Sequence, residues 1–222
     1  MGMKYLPAIF LSIIFLGLGV ACTHSFVTNL HIERKIIEID AKTIPEGDNV
    51  WYIGDSYTDN SYMRAKVQEV FGDIFVDVQS GKRFARDYPY NPSGTTLLRK
   101  YVATGRKPTY LIYELLTNDM DRSVEDASKD IAEVREILGP DVYIIFMTGH
   151  CISRNLNNFN TAIWRAAESD EKILVADWQG AIYGKESQYI SADLLHPNDT
   201  GHDLLAQLFK EQLDEAVKLA RN

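Results

Sequence analysis

The chain has 222 residues, of which 45% are hydrophobic and 24% are charged, a composition typical of one globular domain plus a short extra segment. Its formal net charge of -8 at pH 7 excludes the broad basic surface that nucleic-acid binding requires, and it offers no attraction to anionic lipid. Any attachment to a membrane would therefore have to be hydrophobic. Because the sequence has no CxxC motif or Cys/His cluster, we expect neither a bound metal nor an organic cofactor.

The N-terminal segment 1–22 contains an uncharged, apolar run from Tyr5 to Cys22, with Lys4 just before it. Its length lies between that of a signal-peptide core and that of a membrane-spanning helix. Three interpretations remain open: an uncleaved anchor, a lipoprotein signal in which Cys22 is lipidated, or a cleaved signal peptide. Each predicts that the body of the protein lies outside the cytoplasm, either secreted or held at a membrane through this segment.

Residues 23–46 are mixed and polar, and we predict a linker there, followed by one domain at 47–222. In that domain, apolar β-branched runs alternate with segments of helical periodicity. The predicted strands are 50–57, 73–80, 109–116, 142–148 and 172–178, and the predicted helices are 61–72, 95–105, 123–138, 158–169 and 201–220. This alternation predicts a three-layer α/β/α, flavodoxin-like sandwich with a five-stranded parallel sheet. Functional residues should then follow the carboxyl ends of the strands.

Two motifs at predicted element ends suggest nucleophilic catalysis. Gly54-Asp55-Ser56 ends the first predicted strand and places a serine hydroxyl before the N-terminal N–H groups of the next helix. A serine needs a base, and Asp193-Leu-Leu-His196 provides a histidine with a carboxylate three residues earlier that can hold its other ring nitrogen. Each motif alone also fits an ordinary turn. Together they predict Ser56 as nucleophile, His196 as base and Asp193 as its partner.

Donors for an oxyanion follow the next two predicted strands. Gly81 comes after the second strand, where a glycine lets the backbone N–H approach closely, and Asn118 after the third, where its amide adds a donor. With the Ser56 N–H they would form an oxyanion hole. A turn glycine and a helix-capping asparagine are the alternative interpretations.

The order of these residues resembles the four sequence blocks of the SGNH (GDSL-type) hydrolase superfamily, from the first predicted strand through the last helix. The resemblance implies the SGNH hydrolase fold. It also assigns the catalytic triad to Ser56, Asp193 and His196, and the oxyanion hole to Ser56, Gly81 and Asn118.

Stretches such as WYIGDSYTD, YLIYELLTND and DLLHPNDTGHDLLA are further similar to the extracytoplasmic SGNH domains of cell-wall (peptidoglycan) O-acetyltransferases. In that group the third block usually reads Gly-Thr-Asn, whereas Leu116 replaces the glycine here. The resemblance implies a serine-dependent O-acyl (acetyl) transferase or esterase that acts on ester groups of cell-envelope carbohydrate through an acyl-enzyme. The alternatives are an SGNH lipase or lysophospholipase-type esterase, and a catalytically weak surface binding module.

The implied partners are an acylated or acyl-accepting envelope carbohydrate and, for transfer, a separate membrane protein or soluble donor of acyl groups, because the chain has at most one hydrophobic segment. Two other groups of residues have less specific interpretations. Lys82-Arg83 is interpreted as a solvated pair, with contact to an acidic substrate as the alternative. Tyr57, Tyr88 and Trp178 are interpreted as packing residues, with a platform for a sugar ring as the alternative.

Overall fold

The computed structural model describes residues 50–221, so the predicted N-terminal segment 1–22 and the linker 23–46 lie outside the described residues. Its strands are β1 (Val50–Gly54), β2 (Phe75–Val78), β3 (Tyr110–Glu114), β4 (Tyr143–Met147) and β5 (Ile173–Ala176). They form one five-stranded sheet in the order β2-β1-β3-β4-β5, and every neighbouring pair is parallel. This confirms the predicted parallel sheet, and the strand order is that of flavodoxin-like folds.

The helices of the described residues are α1 (Ser61–Phe71), α2 (Gly94–Val102), α3 (Val124–Leu138), α4 (Asn157–Ser169), α5 (Trp178–Ile182), α6 (Glu186–Tyr189) and α7 (Asp199–Ala220). The first and last, α1 and α7, pack together, whereas α2, α3 and α4 pack side by side as a second layer. These two helical layers and the sheet form the predicted sandwich. Between residues 50 and 221, no helix combines the length and the apolar character needed to cross a membrane.

The end of β1 packs closely against the side chain of Glu114, the last residue of β3. A Cβ atom on Gly54 would collide with the Glu114 carboxylate, so the last position of β1 requires a glycine. The chain then leaves the sheet at once, because Asp55 begins a turn in which its Oδ1 accepts the N–H of Tyr57 at 3.0 Å. The predicted strand 50–57 is therefore shorter in the structure, and Ser56 lies in a tight turn at the sheet edge.

Helix α7 begins two residues earlier than predicted. The N-cap residue is Asn198, whose Oδ1 accepts the N–H of Gly201 at 2.9 Å. Asp199 and Thr200 both lie inside the first turn of the helix. Gly201 also packs tightly: a Cβ atom there would collide with the carbonyl oxygen of Tyr189. These contacts hold the start of α7, and with it the turn that carries His196.

Candidate active site

The predicted site residues all lie at the carboxyl edge of the sheet. Ser56 follows β1, Gly81 follows β2, Asn118 follows β3, and Asp193 and His196 lie in the turn before α7. The structure brings Ser56 and His196 together across 140 residues of sequence, with 2.9 Å between the serine Oγ and the histidine Nε2. This distance is within the range for proton transfer from a nucleophile to a base.

The Asp193 carboxylate holds the other side of the imidazole ring. Its Oδ2 is 2.6 Å from Nδ1 of His196, and its Oδ1 accepts the N–H groups of Leu195 at 3.0 Å and His196 at 2.9 Å. Partial burial disfavours the ionised form, but these hydrogen bonds outweigh it and hold the pKa of the Asp193 carboxyl well below its ordinary value. An ionised carboxylate only accepts, so Nδ1 of His196 carries the hydrogen and the Nε2 lone pair faces Ser56.

A strained residue shapes the turn between the acid and the base. Leu194 has a φ of 63°, in the left-handed region that non-glycine residues rarely adopt. Its carbonyl oxygen accepts the N–H groups of Ile152 at 3.0 Å and Ser153 at 3.1 Å, both from the loop after β4. These two bonds hold the unfavourable conformation, and that conformation lets the carboxylate of Asp193 fold back onto His196.

Tyr57 packs against the turn that carries Asp193 and His196. It is fully buried, its hydroxyl donates to the Leu195 carbonyl at 2.8 Å, and its ring packs edge-on against the imidazole of His196 with 6.0 Å between ring centroids. Trp178 is also fully buried, whereas Tyr88 is 57% exposed. Tyr57 and Trp178 are therefore packing residues, as predicted, and Tyr88 alone of the three is available to a ligand.

Two backbone donors near the nucleophile are unoccupied. Among residues 50–221, the N–H groups of Ser56 and Gly81 have no hydrogen-bond partner. Gly81 has a φ of 77°, a conformation that glycine adopts without strain. It lines a cleft of about 470 Å³ together with Asn118. The structure thus offers unsatisfied N–H groups of the kind that stabilise an oxyanion.

The side-chain amide of Asn118 is already engaged. Its Nδ2 donates to Oδ2 of Asp55 at 3.1 Å and to the Lys82 carbonyl at 3.0 Å, while its Oδ1 accepts from Nη1 of Arg154 at 3.2 Å. Reversing the amide would place it donor against donor, so this orientation is fixed. To stabilise an oxyanion, one N–H of Asn118 must be shared with a present partner, which the sequence did not indicate.

We expect Asn118→Ala to lower kcat by roughly a hundred- to thousand-fold on a chromogenic acetyl ester, the cost of losing one oxyanion donor. Steady-state kinetics with a thermal melt would check this, with Asn158→Ala, an exposed asparagine in α4, as the matched control. A loss confined to KM would show that Asn118 binds the substrate and does not stabilise the transition state.

Two buried carboxyl groups lie behind the nucleophile. Asp55 accepts hydrogen bonds from Thr117 Oγ1 at 2.5 Å and from the Asn118 amide. Glu114 accepts a hydrogen bond from Thr58 Oγ1 at 2.7 Å. Burial, followed by the negative charge of Asp55, raises the pKa of Glu114 well above its ordinary value. Burial raises the pKa of Asp55 as well, but the hydrogen bonds from Thr117 and from the Tyr57 N–H lower it, so Glu114 is the member that binds a proton more readily. Glu114 was not predicted as a site residue, although an acidic residue inside an apolar strand is a recognisable signal.

Leu116 does not distort the oxyanion loop. Its side chain is buried and packs over Gly149, where a Cβ atom would collide with it. Its φ is not in the left-handed region, so a leucine adopts this backbone without strain. The departure from Gly-Thr-Asn therefore leaves Asn118 in place.

Lys82 is not part of a solvated pair. It is fully buried, and its Nζ lies 2.9 Å from Oδ1 of Asp77, whose other oxygen accepts the Tyr101 hydroxyl. The interpretation of Lys82-Arg83 as a solvated pair is therefore wrong for the lysine. Because a buried charge needs a partner, the ion pair ties the loop after β2 to the end of that strand. The same loop carries Gly81.

Other reactive groups are not arranged for chemistry. Cys151 is a buried free cysteine, and the ring of the preceding His150 pairs with Glu186, with 2.9 Å between Nε2 and Oε1. In the part of the chain that the structure describes, no three His, Cys, Asp or Glu side chains are grouped to hold a metal ion.

Comparison with solved structures places this geometry in a known fold. The C-terminal catalytic domain of peptidoglycan O-acetyltransferase A from Streptococcus pneumoniae is similar with a TM-score of 0.61 at 15% identity, over 77% of this chain and 95% of that chain. Est24, a carbohydrate acetylesterase from Sinorhizobium meliloti, is similar with a TM-score of 0.57 at 13% identity, over 76% of this chain and 99% of that chain. A member of the lipolytic G-D-S-L family from Veillonella parvula is similar with a TM-score of 0.54 at 18% identity, over 73% of this chain and 96% of that chain.

No protein-family model and no curated protein sequence matches the chain. The structural likeness confirms the predicted three-layer fold, and the resemblance to SGNH hydrolases holds at the level of that fold. At these identities it is evidence for the fold alone, and the activity has to be argued from the site.

Proposed function

We propose that this protein is a serine-dependent O-acyl (acetyl) transferase or esterase that acts on ester groups of cell-envelope carbohydrate. The observation that carries the proposal is the hydrogen-bonded line from Asp193 through His196 to Ser56, with distances of 2.6 and 2.9 Å. Two of the similar structures are a peptidoglycan O-acetyltransferase and a carbohydrate acetylesterase, which supports a carbohydrate ester as the substrate. An intact line of this kind argues against a binding module without catalysis.

In the proposed reaction, Nε2 of His196 takes the proton of Ser56 as its Oγ attacks the acyl carbonyl, and Asp193 stabilises the imidazolium that forms. The N–H groups of Ser56 and Gly81, with the amide of Asn118, hold the oxyanion. The tetrahedral intermediate collapses, His196 protonates the leaving alcohol, and an acyl-enzyme remains. Water or a sugar hydroxyl, deprotonated by His196, then attacks the acyl carbonyl and releases Ser56.

Transfer and hydrolysis share the acyl-enzyme and differ in what attacks it. A sugar hydroxyl bound beside Ser56 can outcompete water, because well-oriented groups reach effective molarities of about 10⁵ M or more. The cleft that Gly81 and Asn118 line has about 470 Å³, within the range of small-molecule sites. Hydrolysis would need only water, whereas transfer would need an acceptor sugar in this cleft. A separate membrane protein or a soluble donor would then supply the acyl group.

Product partitioning tests the proposal. Given an activated acetyl ester and envelope-type oligosaccharides, the full chain should yield acetylated oligosaccharide besides acetate, and Ser56→Ala should yield neither above the buffer rate. Acetate as the sole product with every acceptor, together with removal of acetyl groups from acetylated polymer, would identify an esterase. Absence of both products would overturn the proposal.

A further inference from the structure

A cationic cleft opens beside the oxyanion donors of this acidic protein. Its walls come from the loop after β2, which carries Arg83, and from the turn that carries Tyr88, and Arg154 closes one end. None of the described residues that line it is an aspartate or a glutamate. Two guanidinium groups thus face a cleft without carboxylates, in a chain whose net charge is -8. Such a charge distribution attracts an anion.

Neither arginine is neutralised by the protein. Within residues 50–221, Arg83 and Arg154 form no ion pair, whereas the nearby Arg86 pairs with Asp119 at 3.4 Å and with Asp121 at 2.5 Å. Those two carboxylates are therefore already paired, and Asp87, next to Tyr88, accepts hydrogen bonds from the Ser93 N–H and the Thr96 hydroxyl. Neither arginine of the cleft is held by a carboxylate within the described residues, so both can bind an anionic ligand.

The structure holds both guanidinium groups in place. Arg83 lies over the ring of Tyr88, with 5.0 Å from Cζ to the ring centroid. The Tyr88 turn is closed by two backbone hydrogen bonds with Asn91, whose side chain donates to the Ser80 carbonyl at 3.1 Å. Arg83 therefore packs on a ring whose own turn is held by hydrogen bonds, which reduces the side-chain entropy that Arg83 loses when it binds a ligand.

Arg154 links the cleft to the chemistry. Its Nη1 donates to the Thr117 carbonyl at 2.5 Å and to Oδ1 of Asn118 at 3.2 Å. Among the described residues, the edge formed by Nε and Nη2 has no hydrogen-bond partner. That planar edge matches a carboxylate, which it can bind through two parallel hydrogen bonds. The arginine that would bind the anion thus also contacts Asn118, a proposed oxyanion donor.

We propose that Arg83 and Arg154 form a subsite for a sugar carboxylate, so that the carbohydrate processed at Ser56 is an acidic one. The inference rests on the proposed function for its choice of carbohydrate, while the cationic cleft itself does not depend on it. A carboxylate bound by both arginines would position the sugar ring across Gly81 and Asn118, with an ester or hydroxyl group near Ser56.

The test compares two matched substrates: O-acetylated methyl glucuronoside as the free acid, and the same compound as its neutral methyl ester. We expect kcat/KM of the full chain to favour the acid by roughly ten-fold, the scale of a charge-assisted carboxylate–arginine contact. This ratio should fall in high salt, because a half-exposed ion pair is screened. A general loss of rate cancels in the acid-to-ester ratio of kcat/KM, because both substrates share the chemical step.

Arg83→Gln and Arg154→Gln should each lower the acid-to-ester ratio several-fold, and the double variant should bring it near one. Arg165→Gln, which removes an exposed arginine of α4 outside the cleft, should keep the wild-type ratio. Equal kcat/KM for acid and ester in the wild type, or a ratio insensitive to both cleft variants, would overturn the subsite while leaving the proposed function intact.

If the protein cleaves neither ester, the proposed function fails, and binding then decides the subsite separately. Titration with the unacetylated glucuronoside should show tighter binding of the acid than of its methyl ester, and this difference should be lost in Arg83→Gln. Equal binding of the two compounds would overturn the inference.

Discussion

Replacing Ser56 by alanine should abolish cleavage of a chromogenic acetyl ester, with a loss in kcat on the order of a thousand-fold or more. The change removes the atom that His196 Nε2 contacts at 2.9 Å and leaves the rest of the site in place. Since that contact is the one hydrogen bond of the Ser56 hydroxyl among residues 50–221, the melting temperature should change little. Rates and a thermal melt on the same preparation check both expectations.

Two controls separate this result from general damage. Ser187→Ala removes an exposed serine of α6 and should keep wild-type kcat. Cys151→Ser tests the buried thiol of the loop after β4 and should also be nearly silent. Full activity in Ser56→Ala, or a thousand-fold loss in Cys151→Ser, would refute the assignment of the nucleophile.

Asp193→Asn should lower kcat by about 10⁴-fold, the scale seen when the acid of a Ser–His–Asp triad becomes an amide. The N–H groups of Leu195 and His196 donate to Oδ1, so the amide oxygen should stay there and the NH₂ group should face Nδ1 of His196. The ring must then carry its hydrogen on Nε2. In this tautomer His196 cannot accept the proton of Ser56.

The tautomer gives this prediction a direct readout. ¹⁵N chemical shifts of the imidazole should show hydrogen on Nδ1 in the wild type and on Nε2 in Asp193→Asn. Asp141→Asn is the matched control, because that carboxylate is 97% exposed and precedes β4 at the opposite edge of the sheet. Near wild-type kcat with an inverted tautomer would show that Asp193 only shapes the turn.

Much of the architecture was predictable from the spacing of apolar residues. The run Tyr143–Met147 is buried throughout, as expected for a strand covered on both faces, and its flanking helices follow the predicted ranges closely. Element ends were less predictable, because local side-chain contacts decide them. Asp177, predicted to lie within a strand, accepts the N–H of Gly180 at 3.0 Å and starts α5. Asn198 likewise caps α7, which begins two residues before its predicted start at residue 201.

The placement of Ser56 and His196 followed from the rule that parallel strands present their carboxyl ends at one edge. Contacts between distant loops could not be predicted in this way. Nothing near Arg154 in sequence indicates that it reaches Asn118, since 36 residues separate the two. Lys82 was misjudged because a lysine is usually solvated, and only the fold shows the buried Asp77 beside it.

The separation of 140 residues between Ser56 and His196 also bears on how the chain reaches its working state. Asp193 and His196 meet within a single turn, so this half of the triad closes a short loop at low entropic cost. Placing the nucleophile beside them requires the sheet and the packing of α7 on α1, which are long-range contacts of the kind that make parallel folds slow to assemble. A partly folded chain can hold its acid–base pair and still lack the serine. Under the proposed function, we expect ester cleavage to report completed topology and to be absent from intermediates that already contain most of the helices.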